Sequence, residues 1–293
     1  MGFRMRTTIR ILPGVRLNAS GRRPAAGRTT PSPCHPSTRA AARAARPGLF
    51  APQGEKDLYT AVEDEDGFTI ERVGESHPEL AVAASSIAAW QALGAGDDKR
   101  ARQLLTWVVA TGEDPAADRF IGTYVHTGLE LPIVDGVTAE LQLDRSGIGL
   151  ALAELHHAAG DLAAAVEVVE QLEPTTLTAL SLAELYTGLG RHADVIDLTN
   201  DITNLDDATA LLCTFRGVAL REQGHLDAAR GALDEALRSE KRSPVIRHHA
   251  LLERARCYAA EGERSLARKD LELILADDAT YPGLTGALAE LAD

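Results

Sequence analysis

The stretch E-Q-G-H-L-D-A-A-R-G-A-L-D-E-A-L, Glu222 to Leu237, decides how this chain folds. A glycine separates two runs in which small and apolar residues recur every three or four positions, the period of a helix face. Glycine takes a left-handed backbone without strain, so Gly224 ends one helix and lets the next return antiparallel to it. Related wording recurs. L-A-L-A-E-L-H-H-A-A-G-D-L-A-A-A-V runs from Leu150 to Val166, and L-S-L-A-E-L-Y-T-G-L-G-R-H-A-D-V-I from Leu180 to Ile196. T-F-R-G-V-A-L-R-E-Q-G-H-L-D-A-A-R spans Thr214–Arg230, and L-E-R-A-R-C-Y-A-A-E-G-E-R-S-L-A-R spans Leu252–Arg268. A looser copy, S-I-A-A-W-Q-A-L-G-A-G-D-D-K-R-A-R, lies at Ser86–Arg102.

The turn glycines are Gly96, Gly160, Gly190, Gly224 and Gly262, the last four spaced by 30, 34 and 38 residues, as in arrays of stacked helix pairs. Seven residues before each stands a small residue: Ala89, Ala153, Ala183, Gly217 and Ala255. Five after it stands another small or slim one: Ala101, Ala165, Val195, Ala229 and Ala267. These positions fall where two antiparallel helices cross, and missing bulk there lets the backbones approach to about 8 Å. Leu105, Val169, Leu233 and Leu271 then fill the seam behind them. An acid after the glycine, as at Asp161 and Glu263, suits the positive end of the following helix.

Small at the eighth position, glycine at the fifteenth, alanine at the twentieth and Tyr186 and Tyr258 at the eleventh resemble the tetratricopeptide repeat over about 80–280. The proline that closes such a repeat falls early at Pro174 and late at Pro244 and Pro282, so the number of repeats stays open, and any alanine-rich array of helical hairpins would share part of the pattern. The resemblance implies an all-α solenoid of antiparallel helix pairs whose first helices line a concave groove. By that alignment the groove reads Leu150, Glu154 and His157, then Leu180, Glu184 and Thr187. It continues with Leu211, Thr214 and Arg221, and ends with His249, Leu252 and Arg256. The polar members form the candidate partner-binding set: Glu154, His157, Glu184, Thr214, Arg221, His249 and Arg256. The Lys and Asn that grip a chaperone's terminal carboxylate in some members are missing from these positions.

Two segments depart from the pattern. L-E-L-P-I-V-D-G-V-T-A-E-L-Q-L, Leu129–Leu143, carries Asp135-Gly136 between alternating apolar runs, which predicts a small β-hairpin with Pro132 on an edge strand. Pro282–Leu291 predicts a short capping helix over the last apolar face.

The chain divides by charge. Residues 1–50 hold ten arginines and no acid, whereas the rest sets 43 acids against 20 bases. The acidic body repels phosphates, which argues against nucleic acid or anionic membrane as its partner. Residues 1–52 read as a basic, Pro/Arg-rich disordered tail, and 53–293 as the helical repeat domain. The tail's composition also suits a mitochondrial transit peptide. M-G-F-R-M-R-T-T-I-R-I-L-P-G-V-R-L-N-A-S at the start resembles the opening of a short bacterial domain of unknown function. On that resemblance residues from Gly21 onward would be a decayed or frameshifted continuation of it. A bacterial, cytoplasmic protein is the corresponding expectation.

Catalytic and metal motifs are missing. The sequence lacks G-x-x-x-x-G-K-S/T, G-x-S-x-G and H-E-x-x-H. Glu63-Asp64-Glu65-Asp66-Gly67 would place valines at both outer ligand positions of a calcium loop and reads as a solvated acidic loop. His156-His157 and His248-His249 are adjacent pairs, which diverge by about 100° on a helix. Cys213 and Cys257 fall at core positions, as do Tyr186, Tyr258, Trp90 and Trp107. The expectation is a non-catalytic scaffold without cofactor or metal that binds a peptide or helix of a protein partner. The alternatives are a self-assembling homo-oligomer and, behind it, an enzyme accessory subunit.

Overall fold

The computed structural model describes residues 6–7, 18–19, 46–125, 128–134 and 137–291. Among these are fourteen α-helices, and the chain forms two compact units. The expectation of a disordered tail falls almost wholly on residues outside those described. The exceptions are two-residue strands at Arg6–Thr7 (β1) and Asn18–Ala19 (β2), and 46–52 leading into the first helix.

The first unit ends at Glu173, with Leu17–Gly21 and Ile133–Val137 before that point belonging to the second. It opens with a helical hairpin, Gln53–Glu63 (α1) and Gly67–Ser76 (α2), that the repeat pattern did not disclose. Its turn carries the acidic run, and Asp66 caps α2 by accepting from the Thr69 N–H. The left-handed position that glycine fills elsewhere is held here by Glu65, at φ 55°. With glutamate at that position the turn read as an acidic loop and not as a repeat's glycine turn. Next come Ala81–Ala95 (α3) and Asp98–Thr111 (α4), then Arg119–Tyr124 (α5) after a 3-10 turn at Pro115–Ala117. Strands Gly128–Val134 (β3) and Val137–Gln142 (β4) follow, as the alternation predicted, while the turn residues 135–136 lie outside those described. β3 is not an edge strand along its whole length: Leu129 and Glu130 pair with Thr7 and Arg6 of β1. That pairing stops short of Pro132, which has no N–H to give. Arg145–Ala158 (α6) and Leu162–Val169 (α7) complete the unit.

The second unit is built from three further hairpins and a cap. They are Thr176–Gly188 (α8) with His192–Thr199 (α9), Asp207–Glu222 (α10) with Leu226–Leu237 (α11), and Pro244–Ala260 (α12) with Arg264–Asp277 (α13). Leu284–Glu290 (α14) covers the end: Leu284, Ala287 and Leu291 join Leu251, Leu271 and Ile274 in one apolar cluster.

The crossing points are as the small residues require. Gly96, Gly160, Gly190, Gly224 and Gly262 all have φ between 69° and 81°. The ten small or slim residues around them are buried, and a Cβ on Gly217 would stand 2.6 Å from Leu233 Cγ. Leu105, Val169, Leu233 and Leu271 are at most 1% exposed, each such burial being worth roughly 1.5–3 kcal/mol before chain entropy is counted. Asp97 and Asp161 cap the next helix through their carboxylates, whereas Glu263 makes no side-chain cap: the extra methylene carries its carboxylate past the N–H groups an aspartate reaches.

Trp90 and Tyr186 are core residues and Tyr258 is partly buried, but Trp107 is 45% exposed, contrary to its predicted place. Ala101, Leu104, Leu105 and Val108 form the inward stripe of α4, and Trp107 lies on the other side of that helix. Cys213 and Cys257 are fully buried.

Candidate functional site

Two positions in each repeat, ten and six residues before its left-handed turn residue, show which face of the first helix stays open. In the second unit the residues ten before the turn are Leu180, Thr214 and Leu252, all buried. The sequence placed Thr214 in the groove; instead it is fully buried with its hydroxyl donating to the Ala210 carbonyl, a bond that closes on its own helix. Leu150, Leu211 and Leu252 are core residues for the same reason: at these crossings the first helices pack too closely to leave that row exposed. Six before the turn stand Glu184, Val218 and Arg256, none of them buried.

Of the predicted set, Glu184, Arg221, His249 and Arg256 are partly or wholly accessible on α8, α10 and α12 of the second unit. α10 packs against both α8 and α12, so their open rows adjoin. Glu253, which the sequence reading missed, organises the charges. Its carboxylate is 5% exposed and takes Arg221 Nη2 on Oε2 at 3.0 Å and Arg256 Nη1 on Oε1. Arg221 also pairs with Glu222 at 2.8 Å. One buried carboxylate thus fixes two guanidinium groups from neighbouring repeats, with Arg256 left 42% exposed. His249 sets its ring edge to face with Phe215, centroids 6.2 Å apart, which orients the imidazole at the same row. Such an arrangement offers planar donors and a small aromatic face to an approaching polypeptide.

Glu154 and His157 belong to α6, in the first unit. Their side chains lie 3.6 Å apart, and burial raises the Glu154 pKa above its ordinary value against the lowering pull of His157.

Two further groups resemble reactive sites without their geometry. Burial pushes the Cys257 thiol up to about 11 and raises that of Cys213, opposite to what a nucleophilic cysteine requires. No group of three or more His, Cys, Asp or Glu able to hold a metal ion occurs among the described residues. No helix among them is long and apolar enough to cross a membrane.

Among solved structures, the chain is similar to the N-terminal domain of the EccA1 ATPase from the ESX-1 secretion system of Mycobacterium tuberculosis, at 17% identity and TM-score 0.54 over 88% of this chain and 90% of that one. The APC/C hetero-tetramer Cut9–Hcn1 matches at 13% identity and TM-score 0.50, over 87% of this chain and 45% of that one. A tetratricopeptide repeat protein from Parabacteroides merdae matches more loosely, at 11% identity and TM-score 0.42, over 83% of this chain and all of that one. No protein-family model and no curated protein matches the sequence. With turn glycines, crossing alanines and neighbouring folds in agreement, the chain is an all-α, tetratricopeptide-repeat-like solenoid protein.

Proposed function

We propose that this protein is a non-catalytic interaction scaffold that holds an extended or helical segment of a partner protein across α8, α10 and α12 of the second unit. The observation that carries the reading is the Arg221–Glu253–Arg256 bridge, which immobilises two cations, Arg256 at 42% exposure and Arg221 at 21%, on an otherwise helical, pre-formed surface. Immobilised donors lose little freedom on binding, so an acidic side chain of the partner meets them at small entropic cost. Neighbouring Glu184 suits a basic residue farther along the same segment. A protein partner is also consistent with the Cut9–Hcn1 tetramer, a similar fold found in an assembly of unlike chains.

The test is site-specific photo-crosslinking of the full chain in cells. A benzophenone amino acid in place of Val218 should capture a discrete polypeptide, and the capture should fall at least tenfold with Arg221→Glu and Arg256→Glu together. The same probe at Lys269, exposed on α13, should capture nothing comparable. Equal capture from both faces sinks the reading, and a covalent dimer of this chain would identify self-assembly instead.

A further inference from the structure

Over the first two hairpins of the first unit, α1–α2 and α3–α4, the corresponding row is closed, whereas Glu154, six residues before Gly160, stays partly exposed. Ten and six residues before Glu65 stand Glu55 and Tyr59, and at the same distances before Gly96 stand Ser86 and Trp90. All four are buried, at 9%, 8%, 0% and 3% exposure. Part of the cover comes from the insertion that follows α4. Its 3-10 turn Pro115–Ala117 packs on α3. Its helix α5 lies against α1, where Tyr124 meets Tyr59 edge to face at 5.7 Å and Arg119 approaches Glu55 at 3.9 Å. Phe120 stacks obliquely on Tyr124, centroids 5.1 Å apart, and is itself 2% exposed. The segment is tethered at its base: Asp114 accepts from the Arg145 N–H, and Arg145 Nη1 donates to the Gly112 carbonyl.

Three polar groups along the closed row are left unmet. Glu55 Oε2, Ser86 Oγ and Trp90 Nε1 are sealed from solvent without a hydrogen-bond partner. Buried polar groups are nearly always satisfied, and leaving three unmet on one face weakens the closed state relative to one in which they are met. Arg119 remains 79% exposed, so its pairing with Glu55 is made at the rim.

We infer that segment 115–124 is a tethered stand-in for a peptide ligand, and that the α1/α3 face it fills is a second polypeptide-binding site. The ligand suited to that face carries a cation, an aromatic residue directly after it and a second aromatic four residues later, as Arg119, Phe120 and Tyr124 do. Its main-chain carbonyls accept from Trp90 Nε1, a bond the tethered segment does not make. This site is separate from the one on α8, α10 and α12, and either can fail alone.

The experiment uses the full chain carrying Trp107→Phe, so that Trp90 is the sole reporter, with and without Arg119→Ala and Tyr124→Ala together. The probe is a synthetic peptide of residues 113–125, E-D-P-A-A-D-R-F-I-G-T-Y-V. The doubly substituted chain should show red-shifted Trp90 emission that the peptide reverses saturably, with affinity at least tenfold above a scrambled peptide. The unsubstituted chain should bind at least tenfold more weakly. A substituted chain with unchanged far-ultraviolet circular dichroism and no response to the peptide overturns the proposal. Hydrogen exchange on the unsubstituted chain decides independently of whether the variant folds. Amides of α5 should exchange at least a hundredfold faster than those of α1 and α3, and equal protection overturns the proposal as well.

Discussion

Gly217 and Gly231 occupy neighbouring helices and show opposite uses of one residue. At Gly217 a Cβ would collide with Leu233 Cγ, whereas at Gly231 nothing lies within 4 Å. Gly217→Val is therefore expected to cost about 2–3 kcal/mol through overpacking. Gly231→Ala, on an exposed helical site, should stabilise by about 0.5–1 kcal/mol. Urea titrations of both variants check the pair, and equal signs would contradict the crossing geometry. The cysteines add a pH effect. A thiol near 8.5 in the unfolded chain and about 11 when folded favours the folded state fully at low pH. That contribution is lost as pH rises from about 8.5 toward 11, because only the unfolded chain can then release the proton. Cys257→Ala should flatten the decline, measured as the denaturation midpoint against pH. At this scale the sequence was informative where size decides. Alanines at crossings are legible because only small residues fit there. Thr214 and Trp107 were misplaced because helical period gives the direction of a side chain but not what stands opposite.

Among elements, hairpins with a glycine turn were readable and the one without was not. Glu65 adopts the left-handed backbone that glycine signals, so the turn between α1 and α2 read as an acidic loop rather than as the turn of a repeat. The short helix α5 was missed for a related reason: six residues give less than two turns of period. Between elements, Arg254 makes a polar tie across three helices. From α12 it reaches Asp270 of α13 through two bonds of 2.8 Å and Asp234 of α11 at 2.7 Å, with Asp270 only 4% exposed. Those carboxylates hold the Arg254 pKa above its already high ordinary value, against the lowering effect of its burial. Arg254→Ala would strand a buried carboxylate and should cost about 3–5 kcal/mol. Replacing Arg254 and Asp270 together by Leu and Asn should recover part of that loss, a comparison a double-mutant cycle makes directly. A cost below about 1 kcal/mol for the single change would show the contact to be solvent-screened.

For the whole molecule, net charge acts across distances that pairwise contacts do not cover. With 43 acids against 20 bases beyond residue 50, the folded body repels itself. Raising salt from about 0.01 M to about 0.15 M shortens the screening length from ~30 Å to ~8 Å, so the melting temperature should rise. A fall would mean that ion pairs such as Arg221–Glu253 outweigh the net repulsion. The repeat architecture was legible because it is written several times over, and each copy corrects the noise of the others. The closed face was not, since the contact that covers Tyr59 comes from an insertion whose docking no local pattern encodes. Asn204 carries a last consequence. Its side-chain amide gives both protons to the Glu235 and Ala236 carbonyls, while its oxygen receives Arg242 Nε. Spontaneous hydrolysis to aspartate, one mass unit heavier, would point a carboxylate at those two carbonyl oxygens. Aged protein should therefore loosen first at this junction, and the damage can be followed by mass spectrometry of the peptide spanning it.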